Sequence, residues 1–64
     1  MKNLKKLREE RHMTQKEVAD SIGVSRPTVT RWENEDIYPP VTVIMRIANL
    51  LKCDIEFLLP KNVK

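Results

Sequence analysis

Apolar residues recur at three- and four-residue intervals along most of this chain, broken by short polar segments, and that spacing predicts helices throughout. From Lys2 to about Arg11, Leu4, Leu7, Arg8 and Arg11 share one side, with Lys2, Lys5, Lys6 and Glu9 on the other. A short amphipathic helix is expected there. Thr14-Gln15-Lys16-Glu17 fits a capping box, in which Thr14 accepts from the Glu17 amide and the Glu17 carboxylate reaches back to the Thr14 amide. A second helix therefore starts at Thr14, buries Val18, Ala19 and Ile22, and ends where Gly23 can adopt a left-handed conformation. Ser25 caps a third helix just beyond, and Pro27 is tolerated because amides of the first helical turn have no intrahelical acceptor to lose.

At 100° per residue the third helix turns Val29 and Trp32 inward and Arg26, Pro27, Thr30, Arg31 and Asn34 outward. A polar loop, Asn34 to Pro40, leads to Val41, Ile44, Ile47, Ala48 and Leu51, whose spacing predicts the longest core helix. Asp54 is placed to cap a last short helix over Ile55 to Leu59, which Pro60 stops. One glycine and three aromatic residues are too few for hairpin turns and strands, so the expected class is all-α.

Length and charge narrow the function. Sixty-four residues accommodate a single domain, 1–64, with one core, and leave no expected room for a sensor or a substrate cleft. Cys53 is the only cysteine, so helix packing alone must supply stability, about 3 to 5 kcal/mol at this size, and self-association is a natural supplement. No catalytic residue, metal site, cofactor or small-molecule ligand is expected: no nucleophile has a base at a fitting spacing, no glycine-rich phosphate loop occurs, and His12 has no ligand partner. The apolar stretch Ile55 to Pro60, interrupted by Glu56, is too short to span a bilayer and nothing after Met1 reads as a signal peptide, so the expected location is the cytoplasm. The net charge of +3 suits an anionic partner. It resolves into +3 for residues 1–13, −1 for 14–24, +1 for 25–34, −2 for 35–40, +2 for 41–53 and zero thereafter.

Two capped helices joined through Gly23 across Thr14 to Asn34, with small Ala19 where they approach, make a helix-turn-helix over residues 14–34. The chain resembles the helix-turn-helix family of phage repressor and Cro type, the XRE-like transcriptional regulators. The resemblance rests on Leu4, Leu7-Arg8, Met13-Thr14-Gln15, Glu17-Val18-Ala19, Ile22-Gly23-Val24-Ser25 and Arg31-Trp32-Glu33-Asn34. It continues through Pro39, Ile47-Ala48, Leu51 and Leu58.

That resemblance implies a compact five-helix, lambda-repressor-like domain whose third helix enters the major groove of double-stranded DNA. It implies phosphate contacts from Gln15, Ser25 and Asn34, and a structural ion pair between Arg8 and Glu33 that orients the third helix. Arg26 and Arg31 can each present a donor fork to guanine, Thr28 and Thr30 a hydroxyl or methyl, and Pro27 an apolar contact to thymine. Glu35-Asp36-Ile37-Tyr38 departs from the family's glycine and basic residue at this point, and its carboxylates repel phosphates, although Tyr38 can donate to one. Met45, Leu50 and Phe57 remain once the core stripe is assigned, and point to a homodimer formed by the last helices and a tail over 54–64. Such a dimer would set two recognition helices about one DNA turn apart on a palindromic operator. A repressor of phage, plasmid or bacterial origin is the resulting expectation. A protein-interaction or antitoxin-like module on the same scaffold is the alternative.

Overall fold

Four α-helices and one 3-10 turn follow in chain order: α1 Leu4–Glu10, α2 Gln15–Ile22, α3 Arg26–Asn34, α4 Val41–Leu51, and the turn Ile55–Phe57. This computed structural model describes residues 1–60, so positions 61–64 of the expected dimerisation tail lie outside the described residues. No strand occurs among the described residues, and none of the helices is long and apolar enough to cross a membrane.

The caps read from the sequence fix the second and third helices. Thr14 Oγ1 accepts from the Glu17 amide at 3.0 Å, and Glu17 Oε1 accepts from the Thr14 amide at 2.7 Å, closing the capping box with Thr14 just outside α2. At the other end Gly23 takes φ +87°, and the amides of Gly23 and Val24 both close on the Ala19 carbonyl, at 2.8 and 3.0 Å. Ser25 then caps α3 through the Thr28 amide, with a proline inside the first turn. Two helices are thereby joined by the shortest of connections.

The first helix is shorter than its pattern predicts, running from Leu4 to Glu10 and not from Lys2 to Arg11. Asn3 stands at φ +63°, and this bend carries buried Met1 to the end of α3, where its amino group donates to the Trp32 and Glu35 carbonyls. Arg11, beyond the helix, sends Nε to the Leu51 carbonyl at 2.7 Å and so satisfies an open acceptor at the end of α4.

The expected last short helix, Ile55 to Leu59, forms as a 3-10 helix of three residues, Ile55–Phe57, so four α-helices are present where five helices were expected. Lys52 closes α4 in the left-handed region at φ 55°, Pro60 follows soon after, and Asp54 makes no side-chain cap. In that short span the Phe57 and Leu58 amides reach back three residues, to the Asp54 and Ile55 carbonyls, and Leu58 is driven fully into the core.

Leu4, Val18, Ala19, Ile22, Val29, Trp32, Ile44, Ile47, Ala48, Leu51 and Leu58 belong to one buried cluster drawn from all four α-helices and from the residue after the 3-10 turn. Each large side chain so buried stabilises the fold by about 1.5 to 3 kcal/mol. Trp32 belongs to this core, and Cys53 is half-buried at its edge.

Candidate nucleic-acid interface

Beneath the outer face of α3 lies a polar network that ties it to α1 and α2. Arg8 donates from Nε to Glu33 Oε2 at 2.6 Å, from its Nη2 nitrogen to Glu33 Oε1 at 3.3 Å, and from Nη1 to the Met13 carbonyl at 2.7 Å. The Glu33 side chain is 1% exposed, so this pair sits in a low-dielectric setting where an unmatched charge would be costly. The hydrogen bond from Arg8 to Glu33 raises the guanidinium above its ordinary pKa, outweighing the desolvation that acts against the charged form.

Gln15 extends the network. Its Nε2 donates to Glu33 Oε1 at 2.9 Å, while its Oε1 accepts from the Thr30 hydroxyl at 2.9 Å. The side chain expected only at a phosphate therefore also has a structural place, between the start of α2 and two turns of α3. One Nε2 hydrogen is used by Glu33; the other has no partner among the described residues. Helical periodicity is blind to this bridge, because its partners stand 15 and 18 residues away in the chain. The same holds for Arg11, whose partner on α4 is 40 residues distant.

The outer face of α3 is exposed along Arg26, Pro27, Arg31 and Asn34, with Thr28 and Thr30 half-buried at its margins. Arg26 has no ion-pair partner among the described residues, and it lines an open groove with His12, Gln15 and Lys16 where the start of α2 meets the start of α3. Arg31 has Glu35 3.6 Å from its Nε, in an exposed pair of the kind worth about 0 to 1 kcal/mol. The Ser25 and Thr28 hydroxyls are 2.9 Å apart. Thr30 also points its hydroxyl back to the Arg26 carbonyl at 3.2 Å. Tyr38 is half-buried, and its hydroxyl accepts from the Lys2 amide at 3.1 Å.

Away from α3, Met45 and Phe57 are 51% and 54% exposed, whereas Leu50 packs against the core. Val41, one turn before Met45 on the same row of α4, is 57% exposed and belongs with them. The structure thus brings Arg8, Glu33, Gln15 and Thr30 together, ranges Arg26, Pro27 and Arg31 along one outer face, and leaves Leu50 half-buried against the core.

The family model described as helix-turn-helix matches residues 4–58. Over 57 residues the chain is 35% identical to a Bacillus subtilis (strain 168) protein named "Uncharacterized HTH-type transcriptional regulator YqaE". The match covers 89% of this chain and 49% of that protein, so the chain spans about half the length of the curated relative.

Proposed function

The chain belongs to the helix-turn-helix family of phage repressor and Cro type, and from that premise we propose that it binds double-stranded DNA in a sequence-specific manner and represses transcription by occupying its site. The observation that carries this reading is the two-sidedness of α3: its inner edge is pinned by Arg8, Glu33 and Gln15, while its outer face presents Arg26 and Arg31. A recognition helix needs that combination, because discrimination between bases depends on donors held at fixed positions over the groove floor.

In this reading the Arg26 and Arg31 forks meet guanine O6 and N7, Pro27 lies on a thymine methyl, and Thr28 and Thr30 touch neighbouring bases. The weak exposed contact with Glu35 leaves Arg31 available. The second Nε2 hydrogen of Gln15 donates to a phosphate at the start of α2, with Ser25, Asn34 and the remaining proton of Tyr38 adding contacts that set register. Met45 and Phe57, with Val41, supply an apolar surface for a homodimer, and the protein works in the cytoplasm on an operator with two half-sites. Leu50 contributes little to that surface.

Selection of duplexes from a random pool tests both parts. The full chain is expected to enrich an inverted repeat whose half-site centres lie about 10 base pairs apart. The Phe57→Asp protein is expected to enrich single half-sites. A pool that stays unenriched contradicts the DNA-binding reading, and single half-sites from the unaltered chain contradict the dimer.

A further inference from the structure

Thr30 stands on the margin of the face proposed to read DNA, and a threonine there can act in two chemically different ways. Its hydroxyl can exchange hydrogen bonds with a base edge, or its methyl can pack on the C5-methyl of thymine. The two modes select different bases.

The hydroxyl of Thr30 has one hydrogen, and that hydrogen is committed inward: Gln15 Oε1 is 2.9 Å away and the Arg26 carbonyl 3.2 Å away. Gln15 is itself held by Glu33, whose carboxylate is locked by Arg8. The acceptor waiting for the Thr30 proton is therefore part of a hydrogen-bonded, half-buried chain of side chains, and turning the hydroxyl outward would leave the Gln15 carbonyl oxygen without its donor. With Oγ1 engaged toward α2 and the preceding turn, the group of this half-buried side chain left uncommitted is Cγ2. We infer that Thr30 is a thymine-selecting residue that reads through its methyl group, and that Gln15 is the positioning residue that imposes this mode.

The setting agrees with such a contact. Gln15 has one amide hydrogen left for a phosphate, so a Gln15 anchored on the DNA backbone would hold Thr30 close to the groove wall. The C5-methyl of thymine projects toward that wall, beside its own strand. Thr30→Ser keeps the inward hydroxyl and removes the methyl; Thr30→Val keeps a methyl and removes the hydroxyl.

The inference rests on the DNA-binding reading above and is tested on duplexes that the unaltered chain enriches. Each thymine of the enriched site is replaced in turn by deoxyuridine, which lacks only the C5-methyl, and affinities are measured for the unaltered chain, Thr30→Ser and Thr30→Val. One replacement is expected to weaken the unaltered chain about fourfold, the worth of one buried methyl group. That penalty should vanish in Thr30→Ser and persist in Thr30→Val. Should Thr30→Val fail to fold, as judged by its circular dichroism, the comparison of the unaltered chain with Thr30→Ser decides alone. If no deoxyuridine penalty depends on residue 30, the methyl reading is overturned while the DNA-binding reading stands. If the unaltered chain enriches no site, both fall.

Discussion

At Gly23 the backbone sits at φ +87°, and a Cβ placed there would meet no atom within 4 Å. Glycine is therefore required by conformation and not by space. Gly23→Ala should lower stability by about 1 kcal/mol, the left-handed penalty partly offset by a less flexible unfolded chain, and Gly23→Asn by less. Urea unfolding checks both, and an alanine variant as stable as the parent would contradict the assignment. Residues like this one were legible in the sequence because their causes are local: Thr14 with Glu17, Ser25 with Thr28, and Gly23 with Ala19 all act within four positions. Gln15 was legible only by half. Its partners come from α3, and nothing in a linear pattern specifies which side chain a helix crossing will bring within 2.9 Å.

Among the elements, α3 depends most on its neighbours. Nine residues with a proline in the first turn make a poor isolated helix, so its place is set by Val29 and Trp32 in the core and by Glu33 at its inner edge. Glu33→Ala would strand the buried Arg8 guanidinium and the Gln15 amide, at a cost of about 3 to 5 kcal/mol. That equals the whole stability expected of a chain this short, so circular dichroism should find the variant largely unfolded at 25 °C. The pair of changes Arg8→Met and Glu33→Leu should recover much of the loss, since an apolar replacement leaves no charge unmatched. A Glu33→Ala protein that melts like the parent would contradict a structural role for the pair. Apolar spacing predicts α2, α3 and α4 closely because each has a clear cap or breaker. It overreaches at Ile55, where the pattern is compatible with a longer helix but only Ile55–Phe57 turns, with no side-chain cap from Asp54.

For the molecule as a whole, the net positive charge is concentrated in the first segment and not on the helix proposed to read DNA. Residues 1–13 carry +3, α3 with Ser25 contributes +1, and the segment after it carries −2. Sequence reading placed the two carboxylates of Glu35 and Asp36 where they repel phosphate, and the structure keeps both exposed, with Glu35 turned toward Arg31. On the proposed reading, affinity comes from a few positioned contacts and from pairing of two copies more than from bulk attraction. Lys5 is assigned to the general attraction in this proposal: it is exposed on α1, one turn before Glu9, which borders the groove beside Arg26. Arg31 belongs to the face proposed to read DNA.

The comparison of Arg31→Ala with Lys5→Ala, by affinity for an enriched duplex and for scrambled duplexes across a salt series, therefore tests the central claim most directly. Arg31→Ala should lose about 1 to 3 kcal/mol of discrimination at one base pair while its binding to scrambled duplexes falls far less. Lys5→Ala should weaken every duplex alike and reduce the salt slope by about 1. Equal losses on all duplexes from both variants would contradict the assignment of α3 as the helix that reads the sequence.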